Sequence, residues 1–170
     1  MPQNHAFSSI PTKILVPVDF SPSSHAAVES AADLAQHFGA ALHLVHVIPV
    51  FPASTMADFI PEAKFTEEAT KAAEHQFAAA TADLTGKGIK VSSSVELGDD
   101  VASILLEALE REDADMVVIS THGLTGWHPL VFGSIAEKVM KLAACPVLLL
   151  RTPKPASSTK VVSGRLMEWW

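Results

Sequence analysis

The chain has 170 residues, which is room for one domain, since ordinary domains run to about 100–200 residues and a single core stops growing beyond roughly 250. Hydrophobic residues make up 48% of it and charged residues 18%, a balance that buries enough apolar surface to offset chain entropy and excludes a disordered chain. Lys and Arg number 12 against 19 Asp and Glu, a net charge of −7, so the attraction to phosphate backbones and anionic lipid is missing, and neither nucleic acid nor a membrane surface is an expected partner.

Residues 1–12 are read as an N-terminal extension, 13–151 as the folded domain and 152–170 as a flexible tail rich in Ser and Pro that ends in Trp169-Trp170. Residues 1–11 lack the basic start and apolar core of a secretory leader. No apolar run reaches the roughly 18 residues of a spanning helix, so a cytoplasmic protein without membrane insertion is expected.

In chain order, residues 13–18 form a β-branched run short enough to be a strand. Ser21-Pro22 then supplies an N-cap and first-turn pair for a helix whose apolar stripe is Val28, Ala31, Ala32, Ala35 and Phe38, and Gly39 stands where a left-handed C-terminal residue belongs. A second strand is predicted over 42–48. Residues 49–61 place Phe51, Met56, Phe59 and Ile60 among prolines, which suits an ordered apolar flap or a loop packed on its own domain. Ala69, Ala72, Ala73 and Phe77 mark a second helix, 90–96 a third strand, and Val101, Ile104, Leu105 and Ala108 a third helix. Residues 116–120 are a fourth strand, a fourth helix follows Gly133, and 147–150 make a fifth strand.

Most of these strands are continuously apolar, the habit of parallel strands covered on both faces. The order β-α-β-α-β-α-β-α-β therefore predicts an α/β fold with a doubly wound, five-stranded parallel sheet and right-handed crossovers. Ligands of such sheets sit at the carboxyl ends of the strands near the topological switch point, so function is sought after strands one and four.

Both places carry suitable residues. Asp19 ends the first strand, where a carboxylate accepts ribose hydroxyls or holds Mg²⁺ against phosphates; its local alternative is to compete with Ser21 for the cap of the first helix. After the fourth strand, residues 121–132 carry His122, Gly123, Gly126, Trp127, His128 and Pro129 before closing on Gly133-Ser134. Glycines let the backbone approach a ligand, and the start of a helix adds unpaired N–H donors and the positive dipole end, which together make a phosphate cradle. The plainer reading of Gly133-Ser134 is a helix cap preceded by a turn glycine.

Other chemistries lack their residues. There is no G-x-x-x-x-G-K-[ST], no G-x-G-x-x-G after the first strand and no G-x-S-x-G. His43 and His46, three apart on a strand, point to opposite faces and cannot share one metal. The single cysteine, Cys145, excludes an internal disulfide and reads as a small buried side chain. No Lys or Arg lies between Ser120 and Ser134 to stabilise a developing phosphoryl charge, so no catalytic residue is assigned and at most weak ATP hydrolysis is expected.

With Pro17-Val18-Asp19-Phe20-Ser21, then His46-Val47-Ile48, then Ser120-Thr121-His122-Gly123, nine residues and Gly133-Ser134, the chain resembles the universal stress protein family over roughly residues 13–151. The resemblance implies strand order 3-2-1-4-5, an adenine-nucleotide alpha-hydrolase-like fold and a homodimer, with ATP, or else AMP or ADP, as cofactor together with Mg²⁺. The family motif is G-x-x-G, nine residues, G-[ST], and Ser120 stands here for its first glycine. By resemblance, Asp19 meets the ribose or the metal, and Pro17 and Val47 border the adenine. Ser120, Gly123, Gly133, Ser134 and the amide of Ile135 lie around the phosphates.

The function so implied is an ATP-binding stress protein with a regulatory or stress-resistance role. Its alternatives are a nucleotide-free interaction module of the same fold and a slow ATPase. In the implied order, residues 146–151 form a sheet edge, and Val147-Leu148-Leu149-Leu150 within it is apolar on both faces with no protecting charge inside it. The expected cover is the same strand of a second subunit, with the tail folding back through Trp169 and Trp170 as the competing arrangement.

Overall fold

A computed structural model describes residues 10–50, 62–121 and 133–151. Along the chain these form β1 (Lys13–Pro17), α1 (Pro22–Phe38), β2 (Ala41–Pro49), α2 (Glu62–Gly86), β3 (Val91–Gly98), α3 (Val101–Arg111), β4 (Met116–Ser120), α4 (Ser134–Leu142) and β5 (Val147–Leu150). The five strands make one sheet in the order β3-β2-β1-β4-β5, with every neighbouring pair parallel.

Period-two alternation splits the core between the two faces of the sheet. Ile14, Val16 and Val18, with Leu42, Leu44 and Val118, pack against Ala27, Val28, Ala31 and Ala35 of α1 and Phe77, Ala80 and Leu84 of α2. Leu15, Val45, Val47, Val117 and Ile119 pack on the opposite face against Ala102, Leu105, Ala108 and Leu109 of α3 and Ala136 and Val139 of α4. The central strands are therefore covered on both sides, as their unbroken apolar runs require.

The expected helix signals hold. Ser21 is the N-cap of α1 and accepts from the Ser24 amide, Pro22 is the first helical residue, and Gly39 at φ +72° is the left-handed C-cap. Two boundaries move. β2 runs through Pro49, and the Val50 amide goes on to the Gly98 carbonyl at 3.0 Å, so the expected flap loses its first two residues to the sheet; residues 51–61 lie outside the described part of the chain. α2 runs well past the predicted Ala69–Phe77, since its apolar stripe continues through the buried Ala80 and Leu84, while Glu67 and Lys71 form an i,i+4 ion pair on its solvent side. β3 forms the other edge, and Ser92 and Ser93 on it are exposed.

His43 and His46 do face opposite sides. His43, 3% exposed, lies between the hydroxyls of Ser92 (2.8 Å from Nδ1) and Ser94 (3.1 Å from Nε2) with a Glu112 oxygen 3.6 Å away. Burial lowers its pKa despite the opposing pull of Glu112, so the ring stays neutral near pH 7. Burial also raises the half-buried Cys145 thiol to about 11, with Asp115 adding to the effect, which fits an inert packed cysteine rather than a nucleophile.

At the amino ends of the strands, the Asp115 carboxylate accepts from the Thr12 amide at 2.9 Å, the Thr12 hydroxyl at 2.7 Å and the Lys13 amide at 3.1 Å, fastening the start of β1 beside β4. Desolvation raises its pKa, but these hydrogen bonds outweigh it and hold the carboxyl below the ordinary 3.8. Asp115→Ala is expected to lower the unfolding free energy by about 1–2 kcal/mol at neutral pH, the scale of a few partly exposed charge-assisted hydrogen bonds. A depressed folded-state pKa stabilises the fold above the unfolded value and loses that contribution as pH falls through the folded one. The gap between wild type and variant in urea unfolding should therefore be full at pH 7 and narrow below pH 3.8.

Candidate functional site

β1 pairs with β2 on one side and with β4 on the other, with Leu15 opposite both His43 and Val117. From β1 the chain turns into α1 on one face of the sheet, and from β4 it reaches α4 on the other. The two connections leave adjacent strands in opposite directions, which opens a crevice at their carboxyl ends. Asp19 stands on one connection and Gly133-Ser134 on the other, so strands one and four meet as the sequence expectation requires.

The first connection is a tight, polar turn. One oxygen of Asp19, Oδ1, accepts from the Ser21 amide at 3.0 Å and the Ser21 hydroxyl at 2.5 Å. Since the Ser21 proton goes to Asp19, Ser21 Oγ acts as acceptor toward Ser23 Oγ at 2.8 Å and the Ser24 amide at 3.2 Å. Asp19 and Ser21 therefore do not compete for the cap: Ser21 caps α1 and Asp19 orients Ser21. Between them Phe20 takes φ +59°, a left-handed conformation that costs a bulky residue about 1–2 kcal/mol and persists only where its surroundings hold it.

The second connection is closed at its base. Thr121, 1% exposed, donates its amide to the Leu150 carbonyl at 2.9 Å and accepts from the Gly133 amide at 2.9 Å, so residues 122–132 leave and return at one point. A Cβ on Gly133 would stand 3.2 Å from the Thr121 carbonyl oxygen. That tight approach, rather than its φ of −59°, which is open to any residue, is what favours glycine there. Its amide already has an acceptor, which leaves the amides of Ser134 and Ile135 as the donors of this turn. Among the described residues no side chain caps α4: Gly133 has none to offer, and Ser134 and Ile135 are exposed. The start of α4 carries N–H groups without intrahelical partners and the positive dipole end, the ordinary requirements of an anion site.

The other expected residues have definite places. Pro17 ends β1, half-buried, on the same side of the strand as Leu15. Val47, 8% exposed, belongs to the core beneath α3 and α4, two residues beyond Val45. Ser120 ends β4 opposite Leu150, half-buried, and alternation puts it on the side of Val118 rather than that of Thr121. Gly123, His122 and His128 lie outside the described residues. Lys138, one turn into α4, donates to Asp100 at 2.5 Å and to Ser103 at 3.1 Å, which ties α4 to the cap of α3 and pulls the Asp100 carboxyl down to about 2.

The sequence reading passed over Phe20 and His46. The imidazole Nδ1 of His46 donates to the Val18 carbonyl at 2.7 Å, and its ring lies 4.6 Å from that of Phe20. The alternation of β2 was enough to place His46 on the α1 side, but nothing marks a phenylalanine for a left-handed conformation.

Comparison with known proteins places the family and the fold. The model of the universal stress protein family matches residues 11–151. A universal stress protein of Methanocaldococcus jannaschii is 32% identical over 147 residues, spanning 84% of this chain and 83% of its own. Among solved structures, the universal stress protein UspA from Lactobacillus plantarum superposes with a TM-score of 0.76 at 21% identity, covering 85% of this chain and all of that one. The universal stress protein from Archaeoglobus fulgidus in complex with dAMP gives a TM-score of 0.55 at 24% identity over 81% of this chain and 96% of that one. A universal stress protein in complex with cAMP gives 0.57 at 19% identity over 84% and 98%.

The contact at Gly133 makes a prediction about the loop base. Gly133→Val should lower stability by about 1–3 kcal/mol, because the added side chain crowds the Thr121 carbonyl that accepts from the residue 133 amide. Thermal unfolding measures this cost, and a melting temperature equal to that of the wild type contradicts the contact.

Proposed function

Because the chain belongs to the universal stress protein family, we propose that it binds an adenine nucleotide, ATP with Mg²⁺, in the crevice between β1 and β4 and serves a regulatory or stress-resistance role through its occupancy. The observation that carries this reading is the convergence of the Asp19 carboxylate and the uncapped start of α4 at the carboxyl ends of two adjacent parallel strands. A carboxylate suits ribose hydroxyls or a phosphate-bound cation, and helix N–H groups suit phosphate. The dAMP and cAMP complexes of two proteins of this fold support an adenine ligand.

In this site Pro17 and Val47 border the base, Asp19 meets the ribose or the metal, and Ser134 and Ile135 give their amides to phosphate. Ser120, Gly123 and Gly133 shape the loop around them. Among the described residues no group of three His, Cys, Asp or Glu side chains is placed to hold a metal ion. The donor set therefore fits an ion that arrives on the phosphates and takes Asp19 as its protein carboxylate, a habit of Mg²⁺. Binding rather than turnover is favoured, since Lys138, the first cation after Ser134, is engaged by Asp100 and Ser103.

The protein is further proposed to form a homodimer through residues 146–151. β5 is a sheet edge, and Leu148 in it is 38% exposed. Antiparallel pairing with the same strand of a second copy would satisfy that edge and cover the leucines. A chain ended after Pro155 should then still sediment as a dimer at micromolar concentration, whereas a monomer that aggregates on truncation assigns the cover to residues 156–170.

Nucleotide released from freshly purified protein and identified by mass spectrometry should be an adenine nucleotide. Titration calorimetry should give ATP affinity that falls about tenfold, roughly 1.4 kcal/mol, in Asp19→Asn and on removal of Mg²⁺ by EDTA. Affinity within about threefold of wild type in both cases removes Asp19 and the metal from the site. No released nucleotide and no binding at millimolar ATP would favour the nucleotide-free interaction module.

A further inference from the structure

We propose that His46 is a positioning residue for Asp19: it pins the residue on either side of that carboxylate, Val18 through a hydrogen bond and Phe20 through its ring, and thereby sets the direction in which Asp19 faces the crevice. The inference rests on the assignment of Asp19 to the nucleotide site.

His46 reaches the turn from the neighbouring strand. β2 stays paired with β1 to its end, with the Val18 amide on the Val45 carbonyl at 2.8 Å, and His46 is the next residue. Burial lowers its pKa, against opposing pulls from the Val18 carbonyl and Asp19, so near neutrality the ring carries one proton. The Val18 carbonyl, 2.7 Å away, fixes that proton on Nδ1. The imidazole then packs against Phe20, whose ring centroid is 4.6 Å away at a tilt of 46°, and Phe20 also packs 5.4 Å from Phe77 of α2 at 55°. Phe20 is held in a slot between β2 and α2.

That slot accounts for the left-handed backbone of Phe20. A residue of this bulk at φ +59° is held by its surroundings, which here include His46 and Phe77. The backbone conformation at Phe20 in turn decides where Ser21 points. With the chain bent back there, the amide and hydroxyl of Ser21 both reach Asp19 Oδ1. Rotation of Phe20 to an ordinary conformation would carry both donors away and release the carboxylate. The sequence of dependence runs from His46 to the Phe20 ring, to the Phe20 backbone, to Ser21 and to Asp19.

Three substitutions separate the two pins. His46→Leu removes both, His46→Asn keeps an amide donor in place of Nδ1 but no ring, and His46→Phe keeps a ring but no donor. Amide hydrogen exchange of the full chain without nucleotide reads the Ser21 amide directly, and calorimetry reads ATP affinity. In His46→Leu the Ser21 amide should exchange about tenfold faster relative to the β1 and β4 amides, and ATP should bind about tenfold more weakly. The Asn and Phe variants should fall between it and the wild type. Unchanged Ser21 exchange in His46→Leu, or acceleration shared equally by β1 and β4, overturns the proposal and leaves His46 a packing residue. If His46→Leu does not fold, wild-type Ser21 exchange in both of the other variants overturns it equally. If wild-type protein binds no ATP, or Asp19→Asn binds it unchanged, the nucleotide assignment fails by itself, and Ser21 exchange still decides whether His46 sets Asp19.

Discussion

The parallel pairing of β1 with β4 is the constraint from which the rest of the molecule follows. Both strands are hydrogen-bonded on two sides and buried on two faces, so their connections cannot cross the sheet surface and must leave at the carboxyl ends. One goes to each face. Separation of the two connections creates the crevice, and it also places a carboxylate-bearing turn and a helix start across it with little cost, since neither has to be brought from a distance. The polar clasp of Asp115 on Thr12 and Lys13 at the other end of the same strands helps hold the pairing in register.

The two connections are built by opposite means. The turn after β1 accepts an unfavourable backbone at Phe20 and fixes it with aromatic packing and the Asp19–Ser21 hydrogen bonds. The loop after β4 avoids strain: Gly133 has an ordinary φ, and its lack of a side chain lets its amide reach the Thr121 carbonyl. Strain on one side and omission of a side chain on the other produce the same result, a fixed base at the carboxyl ends of two adjacent strands. Supporting ion pairs stand further back, as where Lys138 ties α4 to α3 through Asp100.

Much of this was legible in the residues. The alternation of apolar runs with helical stripes carried the doubly wound fold, because burial on both faces leaves continuous Val, Ile and Leu in the strands. Ser21-Pro22 and Gly39 marked the ends of α1 through capping chemistry that acts within one turn and therefore shows in sequence. The strand order came from the resemblance, as periodicity says nothing about which strands are neighbours. Lost to sequence reasoning was everything decided by a contact across elements. The double engagement of Asp19 with Ser21 depends on the backbone of Phe20, which depends on His46 and Phe77, residues 26 and 57 positions further along the chain. The duty of the Gly133 amide toward Thr121 was hidden for the same reason. The stripe of α2, by contrast, runs on past Phe77 through Ala80 and Leu84, both buried at helical spacing.

The central claim is that ligand meets the start of α4 and the β1–α1 turn together. Amide chemical shifts of the nitrogen-15 labelled chain, followed as ATP and Mg²⁺ are added, test it most directly. The account predicts saturable shifts at Ser134 and Ile135 and at Asp19 and Ser21, fitting one dissociation constant, with the amides of α2 and β3 unmoved. Saturable shifts at β3 or α2 without any at Ser134 and Asp19 would contradict it.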